Sequence, residues 1–349
     1  MERDNLHFNF RTIDGYNKPF NFVISEREAG KTTALWIDKC YKAFKESGRT
    51  TLVIRRLIND ITDIYINDTE SVINKFIDSP IKFQYKKGNL KEGVVDVFIE
   101  EKPFIRVIAL SNPMSRIKSL ILRNLKYIVF DEFIANTILG EKYLTNEAFK
   151  FKELFNTFQR ESPDLKCYFL GNPYSHYNPY FVDFEVNTKL LKPDTLIKGK
   201  AYVIQCYQIK EELKQLILKR NPLYQFDDTY KKYAFGGEAI NDINIKLGEL
   251  PSSYQLKFVF KMEGKLIGIF QNQYYEDLEE RYFVKFVNNV SARRTIYCFD
   301  FSELVDKTAL LSRDDRSKFT NFKTSLRNRT TTFENIECYY LTIELFNFI

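Results

Sequence analysis

Histidine is scarce: His7 and His176 are the only two in 349 residues. Histidine general-base chemistry therefore has almost no candidates. His176, set in a Tyr/Asn/Pro loop, reads as a local hydrogen-bonding residue. The five cysteines (Cys40, Cys167, Cys206, Cys298 and Cys338) are scattered, and none forms a C-x-x-C pair. Neither a Cys/His zinc centre nor a disulfide framework finds support in that spacing. No apolar run approaches the roughly 18 residues that cross a bilayer. Met1 to Asn9 is polar and charged, so no signal peptide is expected and the protein reads as cytosolic. A strong charge of one sign is also lacking. The net charge is +6, and the small basic excess lies in the first 205 residues. That permits contact with nucleic acid without demanding it.

What is present is apolar and aromatic. The hydrophobic fraction is 44%, with 32 Phe and 22 Tyr, enough for a sizeable core. The length predicts two domains with a connector. The most informative stretch is Ser25-Glu26-Arg27-Glu28-Ala29-Gly30-Lys31-Thr32, followed by Thr33. Phe20 to Ile24 before it reads as a buried strand. After it, Ala34, Leu35, Ile37, Cys40, Tyr41 and Phe44 recur at helical spacing. Strand, loop ending in Gly-Lys-Thr, then helix is the context of a phosphate-binding P-loop. Such a loop turns its backbone N–H groups inward, and the helix N-terminus adds partial positive charge. Lys31 would reach the β- and γ-phosphates of ATP, and Thr32 would hold Mg²⁺. Ser25 stands where the motif has its first Gly, which the loop accommodates if Ser25 keeps a negative φ. The bland alternative is a chance Gly-Lys-Thr at a helix start.

Further strands are expected at Thr50 to Ile54, Phe104 to Leu110, Leu125 to Phe130 and Leu165 to Leu170. Ile81 to Tyr85 and Val94 to Ile99 suggest a hairpin, and Ile61 to Ile77 and Asn146 to Phe158 suggest helices. This alternation predicts a mostly parallel sheet wrapped by helices. Leu125 to Phe130 runs into Asp131-Glu132. A carboxylate at the end of a buried strand can hold the ion that Thr32 touches, and an adjacent Glu can polarise a water for attack on phosphate. An exposed acidic turn is the plain alternative. Asn172, in Leu170-Gly171-Asn172-Pro173, is either a sensor of the γ-phosphate at a strand tip or an Asn-Pro turn initiator. Arg55 and Arg56 fit a nucleotide, DNA or a structural carboxylate equally well.

With these stretches in order, the chain resembles the DNA-packaging ATPases of phi29-like tailed phages, relatives of the terminase motors. The residues that carry the resemblance are Asn21-Phe22-Val23-Ile24 leading to Arg27 and Gly30-Lys31, then Val53-Ile54-Arg55-Arg56. Ile128-Val129-Phe130-Asp131-Glu132-Phe133-Ile134 and Asn178-Pro179-Tyr180-Phe181 follow. Beyond Tyr202 the likeness is weaker, through Lys257-Phe258-Val259-Phe260 and the final helix. The resemblance implies an ATP-hydrolysing ring, usually a homopentamer, docked on the portal of an empty capsid in the host cytoplasm. There it drives double-stranded DNA inward, in some cases with a structural packaging RNA. It implies that Lys31 and Thr32 bind phosphate and Mg²⁺, that Asp131 is the metal carboxylate, and that Glu132 is the catalytic glutamate. It also implies that Arg160 is an arginine finger supplied by the neighbouring subunit, that Lys118 is a second basic residue acting across that interface, and that Arg27 is the arginine within the P-loop. Leu57-Ile58-Asn59 lacks the lysine that related sequences place after the two arginines.

The expected fold is α/β: an ASCE-type P-loop ATPase domain over 1–205, a helical linker over 206–249, and a small α+β, RNase H-like domain over 250–349. Short strands are expected at Gln255 to Met262, Lys265 to Phe270, Tyr282 to Val287 and Thr295 to Phe301, and a helix from Phe333 to Phe348. The first of these strands contains no Asp or Glu, and Asp300 and Asp314-Asp315 are a sparse acidic set. A vestigial nuclease follows from that sparseness. The rival readings are a cutting large terminase and a nucleotide-dependent switch that binds DNA or RNA without acting as a motor.

Overall fold

The computed structural model describes residues 6–120, 124–136, 141–174, 178–222, 224, 245–262, 264–273, 281–291, 293–298, 308–310, 314–327 and 330–347. His176 and Asp300 lie outside them. The chain divides into two compact units, Met1–Asn241 and Asp242–Ile349.

The first unit is built on nine strands: β1 (Phe20–Ser25), β2 (Thr50–Arg55), β3 (Phe83–Gln84), β4 (Val94–Ile99), β5 (Lys102–Ala109), β6 (Leu125–Asp131), β7 (Lys166–Gly171), β8 (Thr195–Lys198) and β9 (Tyr202–Tyr207). Their order is β3-β4-β5-β2-β6-β7-β1-β9-β8. The six from β5 to β9 are parallel, and β3, β4 and β8 close the edges antiparallel. Strand β7 therefore separates the P-loop strand β1 from the Asp131 strand β6, which is the ASCE arrangement expected.

Both faces of this sheet are buried, so its strands read as near-continuous apolar runs. Alternate residues still sort to opposite sides. Phe22, Ile24, Leu52, Ile54, Ile128, Phe130 and Phe169 join one core, together with Phe151, Leu154 and Phe158. Val23, Val53, Val107, Val129, Tyr168 and Leu170 join the other, with Leu35, Trp36, Ile66 and Ile73. The helices that cover the sheet include α1 (Arg11–Asp14), α2 (Lys31–Ala34), α3 (Lys42–Ser47), α4 (Asp63–Asn74), α5 (Met114–Lys118), α6 (Glu147–Gln159), α7 (Pro179–Asp183) and α8 (Glu211–Arg220).

Two expectations change here. The helix after the P-loop is not uniform, because Leu35–Tyr41 between α2 and α3 is π-helical. Lys39 on that wider turn is buried, pairs with Asp14, and lies over the rings of Phe10 and Tyr168 at 4.9 and 4.8 Å. The sheet also runs past residue 205, since Cys206 and Tyr207 pair with Ile24 and Ser25. The expected linker thus begins inside β9. Its helix α8 buries Leu213 and Ile217 against Ala29 of the P-loop.

The second unit contains β10 (Lys246–Leu247), β11 (Tyr254–Met262), β12 (Lys265–Asn272), β13 (Tyr282–Phe286), β14 (Ile296–Cys298), β15 (Thr308–Leu310) and β16 (Thr332–Phe333), with α9 (Thr320–Arg327) and α10 (Ile336–Asn347). The sheet order is β10-β16-β13-β12-β11-β14-β15. An antiparallel meander, β11 to β13, is extended on the β11 side by parallel β14 and β15. That is an RNase H-like sheet. Phe260, Ile267, Ile269 and Val284 pack on Phe319, Phe322 and Leu345. The last helix starts at Ile336 rather than Phe333, because Phe333 is drawn into β16, which pairs with β10 and β13.

Candidate active site

Strands β1, β6 and β7 end side by side, and the chain leaves each at a sharp turn. After β1, Gly30 takes φ +84° and opens α2. A side chain there would meet His7 at 3.1 Å, so only glycine fits both the dihedral and the space. Glu28 also has positive φ, whereas Ser25 does not. The missing first glycine therefore imposes no strain. After β6, Glu132 takes φ +62°. That conformation is uncommon for a residue with a side chain and turns the carboxylate out of the strand line.

Lys31 is the centre of the loop. Its Nζ donates to Ser25 O and Ser25 Oγ, each at 2.9 Å, to Glu26 O at 3.1 Å, and to Asn172 Oδ1 at 3.0 Å. Burial pulls its ammonium down to about 8, against the attraction of Asp131 and Glu26. Thr32 Oγ1 donates to Asp131 Oδ2 at 3.1 Å. Burial pushes the Asp131 carboxyl above its ordinary range, and Glu132 adds to the push. A hydroxyl and a buried carboxylate of raised proton affinity are hard oxygen donors that fit Mg²⁺, and its charge would relieve the cost of that burial.

Around this core each expected residue can be placed. Asn172 reaches Lys31 from the tip of β7, and its Nδ2 donates to Tyr174 Oη at 3.0 Å. Arg27 donates to the same phenol through Nε and Nη2, at 3.1 and 2.8 Å. Glu132 is exposed and paired with Arg55 at 3.1 Å. Arg55 in turn lies over the Tyr65 ring at 4.9 Å. Arg56 has a different role. It is buried, it donates to Glu147 at 2.9 Å, and it donates to the carbonyls of Glu132 and Phe133. Of the three readings open for the two arginines, Arg56 takes the structural carboxylate. Thr33 is half-buried in the first turn of α2.

Lys118 and Arg160 are not part of this cluster. Helix α6 runs from Glu147 at the strand-tip edge back to the opposite edge, where β7 begins at Lys166. Arg160 ends that helix, exposed, with no side-chain partner among the described residues. The sheet between it and Lys31 is about 20 Å deep at the rise of an extended strand. Lys118 is exposed and held by Glu153 of α6 at 2.6 Å.

Sequence reasoning passed over the outer wall of the P-loop. Glu26 is only 3% exposed and accepts from Ile209 N at 2.9 Å. Burial raises its carboxyl above the ordinary value. Glu28 pairs with Arg220 of α8 at 2.8 Å. Neither partner lies near the loop in sequence, so no local pattern announces the contact. Glu147 was also missed, because an acid in a first helical turn reads as ordinary dipole compensation.

Comparison with known proteins fits this geometry. The DNA packaging proteins of Bacillus phages PZA and phi29 are each 26% identical to the chain over 271 residues, covering 76% of it and 75% of the relative. The structure of the bacteriophage phi29 viral genome packaging motor assembly has the same fold, with a TM-score of 0.63 and 21% identity over 98% of this chain and 99% of that one. The pattern of the family described as podovirus DNA encapsidation protein (Gp16) matches residues 1–348, and the chain belongs to that family.

Proposed function

We propose that the chain is the ATP-hydrolysing subunit of a ring motor that drives double-stranded viral DNA into a preformed capsid. The observation that carries this reading is the convergence of Lys31, the Thr32–Asp131 pair, Glu132 and Asn172 at three neighbouring strand tips. Bound Mg²⁺ supplies neutralisation of phosphate charge at Thr32 and Asp131. Residues Ser25 to Thr33 cradle the phosphates, and Lys31 exchanges its loop carbonyls for them. Glu132 orients and accepts a proton from the attacking water, and Arg55 fixes the Glu132 carboxylate. Asn172 links the γ-phosphate position to Arg27 through Tyr174. In phosphoryl transfer such positioning and charge stabilisation carry most of the catalysis.

Arg160 completes a neighbour's site rather than its own, because the depth of the sheet separates it from Lys31. Lys118 of α5 is held against α6 by Glu153 and acts across the same contact. The partners on this reading are double-stranded DNA, further copies in a homopentameric ring, the capsid portal and a structural RNA. The place of action is the host cytoplasm, at the portal. No described helix is long and apolar enough to cross a membrane. The second unit serves as a vestigial nuclease that contacts DNA, portal or RNA. Its first strand β11 contains no acid.

ATPase rates with and without double-stranded DNA test the reading, on wild type, Arg160→Ala, Glu132→Gln and an equal mixture of the two variants. DNA should stimulate wild type, each variant alone should be inactive, and the mixture should regain turnover. Full activity of Arg160→Ala with no response to DNA would defeat it.

A further inference from the structure

Strands β4, β5, β2 and β6 bring one row of residues to the strand-tip edge. Val94 pairs with Ile108, Arg55 with Ala109, and Ile54 with Phe130. Gly93, Ala109, Arg55 and Asp131 therefore stand level with one another. Neighbouring strands are about 4.8 Å apart, so Gly93 lies roughly 14 Å from Asp131 along the edge. The chain reaches Gly93 through Lys86 and the 3₁₀ turn Lys87–Glu92. That turn is fastened to the edge. Gly93 is buried, with φ +67°, and a side chain there would meet Ile58 Cγ1 at 2.9 Å and Asn112 Nδ2 at 3.0 Å. Its carbonyl accepts from Ala109 N at 2.8 Å and from Asn112 Nδ2 at 2.9 Å. Leu90 of the turn and Ile58 pack on the same apolar core. Ile58 belongs to the segment that leaves β2 after Arg55, the residue that holds Glu132.

The outer surface of the turn is cationic. Lys86, Lys87 and Lys91 are all exposed. The acids beside them are already engaged: Arg116 holds Glu92, and Asp63 accepts from Tyr85 Oη at 2.7 Å and meets Lys87 at 3.4 Å. Lys86 and Lys91 have no side-chain partner among the described residues. Three lysines thus project from a base that is locked by a buried glycine, two hydrogen bonds to its carbonyl and an apolar anchor.

We infer that Lys86, Lys87 and Lys91 grip the phosphate backbone of a nucleic-acid duplex beside the Asp131–Glu132 turn. This inference rests on the motor reading and names the surface through which the duplex is held. Lysine meets phosphate as a point charge and reads no sequence, which suits a ligand that slides past. The contact of Gly93 with Ile58 ties the lysines to the exit of β2. A shift of Arg55 during hydrolysis is thereby passed to the turn along one edge of the sheet.

The test measures binding of the full chain to short DNA and RNA duplexes across a salt series, with a non-hydrolysable ATP analogue present. Each phosphate contact contributes about 0.9 to the slope of log affinity against log salt, so Lys86→Ala/Lys87→Ala/Lys91→Ala should flatten that slope by up to about 2.7. Between roughly 50 and 200 mM salt, wild type should then lose about 40-fold more affinity than the triple variant. Turnover without DNA should be unchanged, and most of its stimulation by DNA should disappear. Lys82 and Lys102 are exposed at the opposite ends of β3 and β5, and Lys82→Ala/Lys102→Ala should leave the slope as it is. Flattening on the DNA duplex assigns the turn to the translocated strand pair, and flattening on the RNA duplex alone assigns it to a structural RNA. A triple variant that binds both duplexes like wild type overturns the inference, and so does a control variant with an equal loss per lysine. Wild type that binds neither duplex defeats the motor reading and this inference together.

Discussion

Lys31 is only 8% exposed, yet its ammonium finds four acceptors that belong to the protein. Burial has lowered its proton affinity to about 8. An anionic phosphate binds the protonated form, so binding takes up a proton wherever the free group has lost one. Affinity should then be nearly constant below pH 8 and fall as pH rises above it. The protonated fraction drops roughly tenfold between pH 7 and pH 9, and apparent affinity follows the competent fraction. Calorimetric titration with a non-hydrolysable ATP analogue should show that loss in wild type. Lys31→Arg, which stays charged, should bind with no pH dependence across the same window. An equally flat wild type would mean that Lys31 does not meet the phosphates. The identity of Lys31 was legible because Gly-Lys-Thr between a strand and a helix is a local pattern. Its resting contacts with Asn172 were not, since they depend on β7 lying between β1 and β6.

At the scale of elements, the Asp131–Glu132 turn is held from behind by one buried ion pair. Arg56 follows β2, Glu147 opens α6, and Tyr180 of α7 donates to the same carboxylate at 3.0 Å. Arg56 also ties down the carbonyls of Glu132 and Phe133. Burial opposes the guanidinium charge, but Glu147 outweighs it and holds Arg56 more firmly protonated than usual. Glu147→Ala would leave that charge buried and unpaired, at a cost of about 3–5 kcal/mol. Denaturant titration should show it, and turnover should fall because Glu132 loses its backing. Arg56→Met with Glu147→Leu should recover most of the stability and little of the turnover. A stable Glu147→Ala would show that the pair is not the brace described. Most strands were legible from apolar runs, as β2 and β6 show. The edge strand β8 and the π-helical turn were not. β8 is half-buried and pairs with β9 alone, and the π turn carries Lys39 to Asp14, a partner 25 residues away in sequence. The linker boundary at 205 failed for a similar reason, because Tyr202 to Tyr207 is completed by β1, far away in sequence.

For the whole molecule, the consequence lies in its two separate cores. The first unit buries Phe22, Phe130, Phe151 and Phe169 around its parallel sheet, and the second buries Phe260, Ile267, Phe319 and Phe322 around its own. Among the described residues, each unit has a core cluster of its own. Two unfolding transitions are therefore expected, not one cooperative event. Phe169 and Phe260 are both fully buried, and truncation of either to Ala should cost about 3–5 kcal/mol. Phe169→Ala should lower one transition in scanning calorimetry, and Phe260→Ala the other. An ATP analogue with Mg²⁺ binds only a folded P-loop, so by mass action it should raise the first transition and leave the second in place. A single transition, shifted by both substitutions and by nucleotide, would mean that the units fold as one body.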